Sequence, residues 1–170
     1  NGPSFVQWAA EKASIEITTI DGSEEARLIT MGVLQALTPL KTVQDRLLTM
    51  DIGGGPVEFI IVDGEGLRYA ESFPVGVAVL RRHFHRQEPI SDTELTELRT
   101  HLHQTFTPLL AALERYPTDH LVGAAGTFDV IARLMASSRP TQHSHAIDLG
   151  QFKPLYDRCC QATLIERRAM

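Results

Sequence analysis

The stretch Leu47-Leu48-Thr49-Met50-Asp51-Ile52-Gly53-Gly54-Gly55-Pro56-Val57-Glu58-Phe59-Ile60-Ile61 constrains this chain more than any other part of it. Two short apolar runs flank a glycine cluster, which is the pattern of two strands joined by a hairpin-like connection. Asp51 closes the first strand, so a carboxylate stands beside a turn without Cβ atoms, and the backbone there can approach a ligand closely. That pairing suits a magnesium-bound phosphate: the carboxylate holds the metal or its waters while N–H groups take the oxygens. Glu58, on the returning strand near the turn, is a second candidate metal carboxylate. The bland alternative is a hairpin that merely needs glycine.

The other elements follow from periodicity and punctuation. An amphipathic stretch over residues 4–13 leads into residues 15–20, Ile-Glu-Ile-Thr-Thr-Ile, which alternate like a short strand. Asp21 with Glu24 three residues on makes a capping-box-like helix start. Ala26, Ile29, Val33 and Leu37 then recur at helical spacing until Pro39 stops them. Strands are expected over 46–50, 57–62 and 67–73. With Asp63-Gly64-Glu65-Gly66 as the second turn, they form an antiparallel meander. A short helix to about residue 86 follows. Ser91 and Glu94 open a longer one with an apolar stripe from Leu95 to Leu113, kinked at Pro108 and ended at Tyr116-Pro117. Residues 119–124 read as a buried strand, Gly126-Thr127 as a tight turn and 128–136 as a helix. Strand, turn and helix in that order present unpaired N–H groups to an anion. A polar loop over 137–145 and a helix over 153–168 close an α/β domain.

Composition sets outer limits. With 170 residues and 43% hydrophobic content the chain has material for one sizeable core. The formal net charge of −5 argues against partners gripped by bulk positive charge, so neither nucleic acid nor an anionic membrane surface is expected. Lys12, Lys41 and Lys153 are the only lysines, and no polybasic run exists. Cys159 and Cys160 are adjacent rather than spaced as a disulfide framework, which points to a reducing cytoplasm. No apolar run reaches membrane-spanning length and no secretory leader pattern opens the chain. The pairs His83/His85, His101/His103 and His143/His145 are spaced to diverge on a helix, so only the loop pair could converge on a metal, and all read as solvated.

Four ordered segments together carry a resemblance. Asp51-Ile52-Gly53-Gly54-Gly55-Pro56-Val57-Glu58 resembles the Asp-Ile-Gly-Gly-Gly-Ser-x-Glu motif of the exopolyphosphatase and guanosine pentaphosphate phosphohydrolase family, in the actin-like, sugar-kinase-like superfamily. Asp21 to Ile29 is similar to its Ser-Gly-x-Glu-Glu-Ala-Arg-Leu stretch, and Ser72 to Leu80 to its Ser-x-Pro-x-Gly-x-x-x-Leu segment. Gly123-Ala124-Ala125-Gly126-Thr127 looks like its Ala-x-Gly-Thr turn, and the closing Glu166-Arg167-Arg168 also matches.

The resemblance implies a ribonuclease-H-like (actin-like ATPase) lobe: a three-stranded antiparallel meander extended by further strands, with helices on both faces. It implies a Mg²⁺-dependent hydrolase releasing terminal phosphate from inorganic polyphosphate or guanosine pentaphosphate, acting as a homodimer. Glu25 would position or deprotonate the attacking water. Asp51 and Glu58 would serve the metal, and Gly53, Gly54, Gly55, Gly126 and Thr127 the phosphate oxygens. Glu24 is expected to cap its helix, while Arg27 either pairs with a carboxylate of the site or lies at the surface. Pro56 stands where the family has Ser, which removes a hydroxyl and an N–H from the phosphate loop. The family's first lobe, with its own phosphate loop and an arginine-rich segment, has no counterpart here. Residues 1–170 are therefore expected to be a single domain, the second lobe of a two-lobed enzyme, with little activity alone. A non-hydrolysing phosphate or nucleotide sensor is the alternative, and a kinase or ATPase of the same superfold a third reading.

Overall fold

The structure is a computed structural model and describes residues 2–37, 46–135 and 145–170. The chain runs α1 (Gly2–Ala13), α2 (Gly22–Leu37), β1 (Leu47–Ile52), β2 (Val57–Asp63), β3 (Gly66–Phe73), α3 (Val77–Phe84), α4 (Asp92–Thr105), α5 (Thr107–Arg115), β4 (His120–Ala124), α6 (Ala125–Met135), α7 (Leu149–Gln161) and α8 (Leu164–Arg168). The strands form one sheet in the order β3-β2-β1-β4: the meander is antiparallel, and β4 adds parallel to β1.

The burial of β2 explains why its sequence is apolar at nearly every position: six of its seven residues are buried, because helices cover both faces of the central strand. Antiparallel partners share a face, so Leu47/Val62, Thr49/Ile60 and Asp51/Glu58 form three successive pairs on one side. The first two lie under α2, whose small, buried Ala26 allows close approach; Ile29, Leu34 and Leu37 complete that layer. On the opposite side Val57, Phe59, Phe73, Val75 and Leu109 form the second layer, joined by Leu80, Leu102 and Phe106. There Phe106 stands edge-on to Phe59 at 5.1 Å and to Phe73 at 5.2 Å between centroids, contacts worth about 0.5–1.5 kcal/mol each beyond the area they bury.

Several expectations need correction. Residues 15–20 form no strand: they run as irregular chain with Ile15 and Ile20 more than half exposed. Alternation makes a strand only where the segment pairs with a neighbouring edge, and residues 15–20 pair with none of the described strands. The long helix breaks into α4 and α5 at Phe106 rather than kinking at Pro108, which sits in the first turn of α5. Pro108 has no N–H for the Gln104 carbonyl, and the Thr107 hydroxyl donates to that carbonyl instead at 2.8 Å. The expected helix over 153–168 begins earlier, where Asp148 caps α7 through the Gly150 N–H, and it is divided by a second capping box of Thr163 and Glu166. Glu166 thus has a local structural task, and Arg167 an ion pair with Glu88. The expected stop at Pro39 and most of the 137–145 loop lie outside the described residues.

Two carboxylates tie the loops to the sheet and helices. Asp63 accepts from Arg68 and Arg46, and the Arg68 bond foremost lowers its pKa to about 2. Glu94, buried, accepts from the N–H groups of Ser91 and Arg86 and from the Ser91 hydroxyl; the Ser91 backbone bond leads in lowering it to about 2. A carboxylate depressed on folding stabilises the fold above its unfolded pKa, and that contribution is lost as pH falls through its folded pKa. The urea midpoint is therefore expected to decline between about pH 4.5 and about pH 2. Glu94→Gln should flatten this acid limb, and an unchanged limb in that variant would contradict the assignment. Among the described residues no helix is long and apolar enough to cross a membrane.

Candidate functional site

At the loop end of the sheet the face under α2 changes character: above Leu47/Val62 and Thr49/Ile60 comes the pair Asp51/Glu58. The N-terminus of α2 lies over this end. Asp21 caps it, its Oδ1 accepting from the N–H of Ser23 at 3.0 Å and of Glu24 at 2.9 Å. Glu24 does not complete the expected capping box. It accepts two 2.7 Å bonds from Arg27 on the exposed side, so of the two readings for Arg27 the surface one holds. Glu25, itself exposed, lines with Glu58 a groove of about 570 Å³ between α2 and β3, floored by Ile60 and Ala70.

The charge of Glu25 acts on both Asp51 and Glu58. Burial raises the pKa of Asp51 and the negative charge of Glu25 raises it further. Burial also raises Glu58, with Glu25 and Asp51 adding to the effect; the Ser72 hydroxyl, donating to Glu58 Oε1 at 3.0 Å, offsets part of it. Among the described residues none of the three carboxylates has an ion-pair partner, although Arg27, Arg46, Arg68 and Arg86 all pair with acids elsewhere. Two carboxylates withdrawn from solvent, Asp51 and Glu58, with the exposed Glu25 close enough to act on both and no cation paired to any of them, make a site that favours positive charge. No three described His, Cys, Asp or Glu groups converge as a ready-made ligand set. Mg²⁺ ordinarily takes one or two carboxylates plus water and substrate oxygens, so Asp51 and Glu58 fit it in number and kind.

The glycine turn is held from behind by α3. The N–H groups of Gly76, Val77 and Ala78 donate to the carbonyls of Gly55, Gly53 and Gly54 at 2.7, 3.1 and 2.9 Å. In a trans peptide the N–H points opposite to the C=O. Fixing these three carbonyls on α3 therefore turns the N–H groups of Gly54 and Gly55 outward. The third such position belongs to Pro56, which has no N–H. The Gly53 N–H is spent on the Pro56 carbonyl at 3.2 Å, so two outward donors remain where a serine in place of Pro56 would make three.

The other wall comes from β4 and α6. There is no separate turn at Gly126-Thr127: α6 begins at Ala125, directly after β4, with Ala125 at φ 66°, a left-handed value unusual for a residue with a Cβ. Gly123 makes this junction possible, because a Cβ there would lie 2.0 Å from the Phe128 ring. Gly126 and Thr127 occupy the first helical turn, where N–H groups lack intrahelical acceptors, and the Thr127 hydroxyl donates to the Ile52 carbonyl at 3.2 Å. The N-terminus of α6 is thereby fastened to the last residue of β1, beside the glycine turn.

The structure thus pairs Asp51 with Glu58 across β1 and β2, brings the charge of Glu25 to bear on both, and fixes Gly126 and Thr127 at the flank of the glycine turn. Two neighbours of the site were matched in a motif but given no place at it from sequence: Ser72, the cross-strand partner of Glu58, and Gly76, where an added Cβ would meet Gly55 backbone atoms at 2.6 Å. Both lie in the Ser72–Leu80 stretch, where a lone glycine at a helix entry and a serine ending a strand were the available signals.

A three-stranded antiparallel meander, a parallel fourth strand beside β1 and helices on both faces define an α/β domain of the actin-like, ribonuclease-H-like class. The Ppx/GppA phosphatase family matches residues 1–170, and the chain belongs to it. Its fold is similar to that of an exopolyphosphatase from Cytophaga hutchinsonii, with a TM-score of 0.89 and 29% identity over 98% of this chain and 55% of that one. It is also similar to an Aquifex aeolicus member of the Ppx/GppA family, with a TM-score of 0.79 and 23% identity over 98% of this chain and 53% of that one. At that identity the second likeness speaks for the fold alone. The chain spans about half the length of the solved relatives it matches.

Proposed function

We propose that residues 1–170 are the second lobe of a two-lobed Mg²⁺-dependent phosphohydrolase that releases terminal phosphate from inorganic polyphosphate or guanosine pentaphosphate. The observation that carries this reading is the cross-strand pair Asp51 and Glu58, without a cation partner among the described residues and under the charge of Glu25, beside a glycine turn whose N–H groups face outward. Family membership supports phosphohydrolase chemistry in general.

The terminal phosphate sits on the N–H groups of Gly54 and Gly55 and at the first turn of α6, where Gly126 and Thr127 add donors. Asp51 and Glu58 would hold Mg²⁺, which when bound neutralises phosphate charge. Glu25 accepts a proton from the attacking water or orients it; no other described group competes for its carboxylate. The opposite lobe closes the cleft, so this chain alone releases little phosphate. A homodimer of the two-lobed protein, in a reducing cytoplasm that suits the free thiols Cys159 and Cys160, completes the proposal, with no nucleic acid or membrane partner. The test is phosphate release from polyphosphate and from guanosine pentaphosphate by the two-lobed protein with Mg²⁺; release from neither overturns the reading.

One observation favours the sensor as a second reading: Pro56 leaves the turn with two outward donors instead of three. Pro56→Ser restores the third. A hydrogen bond to a charged group contributes about 1.5–3 kcal/mol, so substrate affinity or turnover is expected to rise roughly tenfold or more in the serine variant. If wild-type protein binds without turnover and the variant turns over, the sensor reading stands; equal turnover in both removes it.

A further inference from the structure

We propose that Ser72 is a positioning residue that fixes the Glu58 carboxylate for cation binding and leaves Oε2 as the oxygen offered to the metal. The proposal deepens the reading of Asp51 and Glu58 given above and rests on it. The residues Ser72, Glu58, Asp51 and Ala124 are register partners on β3, β2, β1 and β4, so they form one row across the end of the sheet. Within that row Glu58 has the Ser72 hydroxyl on one side and the Asp51 carboxylate on the other. The hydroxyl donates to Oε1 at 3.0 Å.

A glutamate has three rotatable bonds, and a charged one repelled by two neighbouring carboxylates turns away from them unless something holds it. Glu58 is 8% exposed, so solvent does little to orient it. The Ser72 hydroxyl supplies the side-chain restraint, beside a weaker bond from the backbone N–H of Glu58 itself. It occupies Oε1, favours the ionised carboxylate that a metal requires, and draws that oxygen toward β3, which leaves Oε2 as the oxygen without a side-chain donor. Outer partners that orient ligating carboxylates commonly change metal affinity 10–100-fold when removed. Ala124, at the opposite end of the row, cannot do the same for Asp51, which leaves Ser72 as the row's orienting group.

The experiment measures Mn²⁺ binding to this chain by electron paramagnetic resonance, in wild type, Ser72→Ala and Ser72→Thr, with thermal unfolding followed in parallel. Ser72→Ala is expected to weaken Mn²⁺ binding about tenfold while the unfolding midpoint stays near that of wild type. Ser72→Thr, which keeps the hydroxyl, should restore the affinity. In the two-lobed protein Ser72→Ala should raise the Mg²⁺ concentration needed for half-maximal phosphate release and leave the rate at saturating Mg²⁺ within about twofold. Unchanged Mn²⁺ affinity in Ser72→Ala, equal losses in the alanine and threonine variants, or no Mn²⁺ binding by wild type would each overturn the proposal. Selective weakening by Ser72→Ala in a protein that releases no phosphate would support the positioning role and remove only the phosphohydrolase reading.

Discussion

Glu25→Gln in the proposed two-lobed protein is expected to lower the rate of phosphate release by about 10²–10⁴-fold, the range a well-placed general base contributes. Glutamine keeps the size of the side chain and its place in the first turn of α2, so the Asp21 cap and the Ala26 contact with the sheet should persist. The variant removes a proton acceptor and also a negative charge. That charge helps to raise Asp51 and Glu58, so both carboxyl groups should titrate at lower pH in Glu25→Gln, as carbon-detected carboxyl NMR would show. The stability effect has a definite sign. Carboxylates whose pKa is raised on folding favour the fold below their titration and oppose it above. Relief of the repulsion should therefore raise the thermal midpoint at neutral pH. A variant that hydrolyses at the wild-type rate would end the case for Glu25 as the base, and a midpoint that falls would show that its carboxylate is structural.

Gly76→Ala is expected to be costly for both fold and function. An added methyl would lie 2.6 Å from the Gly55 carbonyl carbon and oxygen and 2.7 Å from the Gly53 oxygen. These are backbone atoms and cannot swing aside as a side-chain tip would. Overpacking of this kind costs about 1–3 kcal/mol, which for a chain of this size is a fall of about 2–4 °C in thermal midpoint per kcal/mol. Relief can come only by pushing the glycine turn away from α3, which breaks the bonds that turn the Gly54 and Gly55 N–H groups outward. Misplacement by about 1 Å can lower a rate on the order of 10²-fold, so phosphate release should fall well beyond what the loss of folded protein explains. A stable Gly76→Ala protein with wild-type substrate affinity would show that the turn is not held by α3.

The parts of this design that were legible in the sequence are those set by short-range chemistry. The meander could be read because glycine-rich turns and apolar runs alternate over residues 47–73; its sheet neighbour was legible as a strand from Leu121 and Val122 before the glycines, but not as the buried one expected, since none of its five residues is buried. Glu25, Asp51, Glu58 and the glycines could be named from their motifs. Their mutual placement could not, since it depends on which face of β1 and β2 meets α2, and only the register fixes that. Residues 15–20 show the reverse failure, a strand pattern without a strand, because alternation reports a side-chain preference and says nothing of a partner edge. Phe106 shows a third. The sequence signals proline at 108, but the break comes where a ring can fill the gap between Phe59 and Phe73.

The order β3-β2-β1-β4 also leaves β3 as a boundary strand of the described sheet. A boundary strand is a template on which further chains can add and precipitate. Its side chains oppose this. Arg68, tied to Asp63, and Glu71, accepting from the Tyr69 hydroxyl, place fixed charges of both signs along it, and a second copy stacking edge to edge would have to bury them. Colloidal behaviour and the proposed cation site would therefore meet in one strand: the ribbon whose Ser72 donates to Glu58 also carries charges that oppose edge-to-edge stacking.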